Sequence, residues 1–134
     1  MRREIHERAF RLALMVATLR SDPPFRTMVR DLVLRQLTRA AFSIAGNLEE
    51  SLAAYSRADF AAKVAISAKE GREANFWLRL AKESGVLTAE ECARVMPEAR
   101  EVSVVVSTIA RHARMNTVAA APHGKAKPAR TPLT

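Results

Sequence analysis

Arginine is the residue type whose number and position in this sequence point most directly to a chemistry. The chain carries 22 Lys and Arg against 14 Asp and Glu, a net charge of +8. Residues 1–39 hold nine basic and four acidic residues, and residues 102–134 hold five basic and none acidic. This excess suits an acidic partner such as nucleic acid, although solubility and an exposed tail explain it equally well.

Seven arginines are predicted to form two groups, each spaced closely enough to bind phosphate groups. In an up-down-up-down bundle the start of the first helix and the end of the fourth share one pole, which gathers five of them. The other two lie one turn apart on the outward face of the second helix. They are Arg2, Arg3, Arg8, Arg111 and Arg114 at the pole, and Arg35 and Arg39 on the second helix. No aromatic residue lies among them, so we expect phosphate contacts without base stacking.

Patterns typical of metal sites and of nucleophilic catalysis do not occur in the sequence. There is no Glu-x-x-His pair of the kind that di-iron bundles use. There is also no Gly-x-Ser-x-Gly and no glycine-rich phosphate loop. The single cysteine, Cys92, has no histidine near it in sequence, and we interpret it as a small core residue. We therefore expect no metal, no cofactor and no enzymatic activity.

Four segments repeat apolar residues at helical spacing, which predicts an all-α fold. Prolines, a glycine and two capping boxes separate the segments and place helices at about 3–20, 25–53, 57–83 and 89–114. Short connections favour an antiparallel up-down-up-down four-helix bundle over residues 1–115, and Pro97 should kink its last helix. Residues 116–134 lack periodicity and predict a disordered basic tail.

The sequence favours a cytoplasmic protein without a membrane partner. No apolar run approaches the roughly 20 residues that a membrane span needs. The first residues lead into an arginine-punctuated amphipathic stretch instead of the apolar segment of a secretory signal.

The third predicted helix carries two seams, which predicts neighbours on two sides. The first seam consists of Phe60, Val64, Ser67, Gly71, Ala74, Leu78 and Ala81. The second consists of Lys63, Ile66, Glu70, Glu73, Trp77 and Leu80. Two large apolar groups rarely extend a solvated stripe, so we interpret the second seam as an oligomer interface, with a solvated face as the alternative.

Residues 36–50, QLTRAAFSIAGNLEE, resemble the second-helix motif of the bacterial four helix bundle protein family, also called the 23S ribosomal RNA intervening-sequence proteins. SRADF at 56–60 and KEGREANFWL at 69–78 are similar to motifs of one subgroup. Gly46 stands where the family usually has serine or alanine. Relative to alanine, glycine at this position should lower the stability of the helix by roughly 1 kcal/mol. The resemblance extends up to the tail.

The resemblance implies an antiparallel four-helix bundle that assembles as a homopentamer. It also implies relatives encoded within large-subunit ribosomal RNA genes, and a basic, nucleic-acid-binding cousin that serves reverse transcriptases of diversity-generating retroelements. We therefore hypothesise a non-catalytic homo-oligomer that binds RNA or DNA without sequence preference, with a reverse transcriptase as a further candidate partner. The alternative hypothesis is an assembly or accessory factor that binds only proteins.

Overall fold

The structure, a computed structural model, describes residues 8, 11–12, 14–16 and 23–119. The described residues before Pro23 are helical and belong to the first helix, α1. The other helices are α2 (Pro23–Leu52), α3 (Arg57–Glu83) and α4 (Ala89–Ala119). No strand occurs among the described residues. The predicted all-α, four-helix fold is confirmed.

Both predicted capping boxes are present at helix starts. At α3 the Asp59 backbone N–H donates to Ser56 Oγ at 3.0 Å. At α4 the exchange is reciprocal, because Glu91 N–H donates to Thr88 Oγ1 at 3.2 Å and Thr88 N–H donates to Glu91 Oε1 at 3.1 Å. These bonds satisfy backbone donors that have no partner within the helix.

The helix ends differ more from prediction than the starts. Gly85, with φ 77°, follows α3 as expected, because glycine adopts this left-handed conformation without strain. α4, however, runs on through Pro97 and ends at Ala119, so residues 116–119 are helical where a tail was predicted. No glycine or proline interrupts the chain between Pro97 and Pro122, which explains the longer helix. The rest of the predicted tail, 120–134, lies outside the described residues.

α3 lies between α2 and α4 and packs antiparallel against both. Six of the seven residues of its first seam are buried, and the seventh, Phe60, is half-buried, as predicted. Ser67 Oγ donates to the Ile44 carbonyl of α2 at 2.9 Å, and Asn75 Nδ2 donates to the Ala99 carbonyl of α4 at 3.2 Å. Cys92 is buried in the core beside Leu78, which confirms its interpretation as a core residue.

Leu14 of α1 packs against a cluster formed by α2 and α3 around Val33 and Leu80. Leu12 and Val16, on the same helix, are more than half exposed. Among the described residues, no helix combines the length and the apolarity that crossing a membrane requires.

Two glycines in helix interiors give a matched test of helix packing. Gly46 in α2 is exposed, and a Cβ added there would meet no atom within 4 Å. Gly46→Ala should therefore raise the free energy of unfolding by about 0.5–1 kcal/mol, because alanine is the better helix former. A Cβ on Gly71 would lie 3.1 Å from Ser103 Oγ of α4. In urea titrations followed by circular dichroism, Gly71→Ala should raise the free energy of unfolding by less than Gly46→Ala does. Equal increases would show that α3 and α4 are not held at this close distance.

Candidate functional site

Acidic residues of α3 face α2, where they pair with basic residues of the same chain. Arg39 of α2 donates to Glu70 at 3.2 Å and also to Glu73. The Trp77 indole N–H donates to Glu73 at 3.2 Å. About two turns towards the start of α3, Lys63 pairs with Glu50 of α2 at 3.0 Å. These contacts align the two helices.

The pairing between α2 and α3 shifts the pKa of three of these groups. The pKa of Glu73 lies below its ordinary value because Arg39 and then Trp77 donate hydrogen bonds to its carboxylate. The pKa of Arg39 is raised, chiefly by the hydrogen bond to Glu73. The pKa of Lys63 is raised in the same way by Glu50. Each group is thereby held in its charged form.

The second predicted seam of α3 is largely filled within the protomer. Lys63, Glu70 and Glu73 are paired with α2. Leu80 is only 4% exposed, in the cluster against which Trp77 packs. These contacts give the seam a neighbour in its own chain, because the charges of α2 complement those of α3. Of the six residues predicted to form an oligomer interface, Ile66 is the large apolar one that stays exposed, at 43%.

A groove of about 850 Å³ separates the outer sides of α3 and α4, and we call it the basic furrow. Four cations line it, namely Lys69 and Arg72 from α3 and Arg111 and Arg114 from α4. No acidic residue lines it. Within the described part of the chain, none of the four takes part in an ion pair. The basic furrow therefore presents four uncompensated positive charges.

Small and hydroxyl-bearing side chains lie between these cations. Alanines of α3, including Ala61 and Ala65, line one side of the furrow, and Ser103 and Ser107 of α4 line the other. Thr108 also lines it, but its hydroxyl donates to the Val104 carbonyl at 2.9 Å. Both serines are half-buried, and neither makes a hydrogen bond within the described residues. Each hydroxyl therefore keeps a donor that a ligand in the furrow could use.

The seven arginines singled out in the sequence differ in their surroundings. Arg111 and Arg114 lie in the basic furrow, while Arg8 and Arg35 are exposed elsewhere. Arg39 is occupied by two carboxylates of α3, which makes it a structural residue more than a phosphate ligand. Arg2 and Arg3 lie outside the described residues.

Sequence reasoning missed Lys69, Arg72 and the two serines. Their spacing in the sequence could have revealed them. On α3, steps of three, four and three residues connect Ala62, Ala65, Lys69 and Arg72. On α4, steps of four, four and three residues connect Ser103, Ser107, Arg111 and Arg114. Both sets follow one side of a helix.

The family model of the 23S rRNA-intervening sequence proteins matches residues 2–108. The chain belongs to this family. Neither the curated proteins nor the solved structures gave a match. The matched range contains α2, α3 and most of α4, so it includes the charge pairing at α2 and about half of the furrow's length along α4. Arg111 and Arg114 lie beyond the matched range.

This member of the 23S rRNA-intervening sequence protein family has a second groove, of about 630 Å³, between α2 and α4. Its lining is almost entirely apolar, with Phe42 and Leu48 from α2 and Val95 and Val102 from α4. Phe42 is 74% exposed. We call this surface the apolar groove.

Glu73→Gln tests the pairing between α2 and α3. The pKa of Glu73 is lowered in the folded protein from an ordinary 4.5, so its carboxylate stabilises the fold above the unfolded pKa. This contribution is lost as the pH falls through the lowered value. In urea titrations the variant should be less stable than the wild type at pH 7, and the difference should shrink at about pH 3.

Glu49→Gln is the matched control, because Glu49 is exposed on α2 and has no ion pair among the described residues. It should change stability little at either pH. If Glu73→Gln is less stable than the wild type by the same amount at both pH values, the loss of stability comes from the shape of the side chain and not from its charge.

Proposed function

We propose that this protein is a cytoplasmic, non-catalytic, oligomeric member of the 23S rRNA-intervening sequence family that binds RNA or DNA through its basic surfaces. Binding would be independent of sequence, since guanidinium and ammonium groups contact phosphates and no aromatic side chain lines the basic furrow.

The observation that carries this proposal is the unequal pairing of charges on the two sides of α3. Towards α2, Lys63 and Arg39 are compensated by carboxylates. Towards α4, the four cations of the basic furrow have no carboxylate among its lining residues. A charge cluster needed only for solubility gains nothing from being concentrated in a groove. A polyanion that releases its counterions on binding does gain from it.

An assembly role is the second candidate, and the apolar groove supports it. Aromatic and aliphatic side chains such as Phe42 and Val95 form a continuous surface that water solvates poorly. A second copy of the chain would cover it in a homo-oligomer, for which five subunits is the number that family resemblance favours. A partner protein such as a reverse transcriptase would use the same surface if the chain acts as an accessory factor.

Nucleic-acid binding should weaken steeply with salt. If about five phosphates are neutralised, the slope of log affinity against log salt should be about −4.5 for duplex and −3.5 for single strands. Replacing both Arg111 and Arg114 with glutamine should make the slope shallower by about 1.4–1.8, because two phosphate contacts are removed. Fluorescence anisotropy with RNA and DNA at several salt concentrations measures both slopes.

Arg26→Gln combined with Lys82→Gln is the matched control, because it removes the same charge from exposed positions outside both the basic furrow and the apolar groove. This control should leave the slope close to that of the wild type, with helicity unchanged in all three proteins. No binding of wild-type protein at micromolar concentration and about 50 mM salt would refute the nucleic-acid proposal and leave the assembly role.

Phe42→Glu should weaken self-association, because a charge in the apolar groove must lose its water when a second copy covers it. Light scattering coupled to gel filtration should give a homo-oligomer for the wild type and a smaller species for the variant. Ala58→Glu, which adds the same charge at an exposed position of α3, should keep the wild-type mass. A wild-type monomer at micromolar concentration would contradict the assembly.

A further inference from the structure

We propose that the basic furrow is a channel for the phosphodiester backbone of one unpaired strand, held by phosphate contacts from both helices. This inference rests on the proposed function and adds to it the position of the strand and its single-stranded state. Lys69, Arg72, Arg111 and Arg114 contact phosphates, and the hydroxyls of Ser103 and Ser107 donate to phosphate oxygens between them.

The arrangement of donors along the furrow follows a strand. α3 and α4 run antiparallel, so Arg111 and Arg114 lie beside the early part of α3, around Ala61. Gly71 contacts Ser103, which places the cations of α3 near the opposite end. From Ser103 to Arg114 the furrow extends about 16 Å along α4, at 1.5 Å per residue. A phosphodiester backbone lying in the furrow would contact cations of α4 at one end and cations of α3 at the other. The serine hydroxyls lie between these two groups of cations.

The unequal burial of the donors in the furrow favours a single strand over a duplex. α3 and α4 approach closely where Gly71 meets Ser103, with 3.1 Å from Ser103 Oγ to the position of an added Cβ. The four cations are exposed, whereas Ser103 and Ser107 between them are half-buried, and a single strand is thin enough to reach both sets of donors. No aromatic residue lines the furrow, so the bases face away and contribute no sequence preference.

Ala65→Leu separates a strand inside the furrow from anions attracted to a positive surface. It fills the furrow without changing any charge, and Ala65 is an exposed helix position that leucine tolerates. The probes are fluorescein-labelled mixed-sequence single strands of RNA and of DNA, about 20 nucleotides long so that they exceed typical single-strand sites, and the corresponding DNA duplex. At about 50 mM salt, Ala65→Leu should weaken binding of both single strands about tenfold or more.

Two further variants complete the experiment. Lys69→Gln combined with Arg72→Gln should weaken single-strand binding and make the salt slope shallower by about 1.4, two contacts at about 0.7 each. Ala93→Leu, an equal enlargement at an exposed position of α4 outside the furrow, should bind like the wild type. Thermal melting by circular dichroism should show that all variants keep the wild-type fold.

The outcomes distinguish the two proposals. If the wild type binds single strands and Ala65→Leu binds as tightly as Ala93→Leu, the furrow proposal is refuted and sequence-independent surface binding survives. Tighter binding of duplex than of either single strand also refutes the furrow proposal. If the wild type binds none of the three probes, the proposed function fails together with the furrow.

Discussion

The helical period of α3 divides its charged residues between two neighbours, and the rest of the molecule depends on this division. Glu70 and Glu73 face α2, whereas Lys69 and Arg72, one residue away in each case, line the furrow with α4. A helix turns by about 100° per residue, so adjacent residues cannot share a side. The carboxylates that could neutralise the furrow are therefore held by Arg39 on another side of the same helix.

Small residues on the first seam make this division possible. Ser67, Gly71 and Ala74 are buried in α3, and they allow the neighbouring helices to approach closely. With larger residues on this seam, α4 would stand further away and Ser103 would no longer be held beside α3. The same packing thus stabilises the bundle and holds the two sides of the furrow in place. Stability and the proposed binding surface are coupled through the distance between α3 and α4.

Periodicity and capping residues were sufficient to predict the helices and the first seam, because both are encoded locally. The neighbour of the second seam was not predictable in this way. Glu73 pairs with Arg39, 34 residues away, and the sequence does not state how two helices are rotated relative to each other. The furrow was missed for the same reason, since Arg72 and Arg111 belong to different helices. The bundle order placed Arg111 and Arg114 at a pole, but in the structure they share a groove with Lys69 and Arg72 of α3.

The apolar groove and the basic furrow lie on opposite sides of α4. This arrangement allows assembly and nucleic-acid binding to occur together. Val95 and Val102 line the apolar groove, whereas Ser103 and Ser107 line the basic furrow, and the helical period sets these pairs on different faces. A subunit that buries its apolar groove can therefore leave its furrow open to solvent. Each added subunit would then contribute another furrow, and binding of one long strand by several copies gains avidity without any new contact. Assembly and nucleic-acid binding are therefore compatible in this geometry, because they use different surfaces of α4.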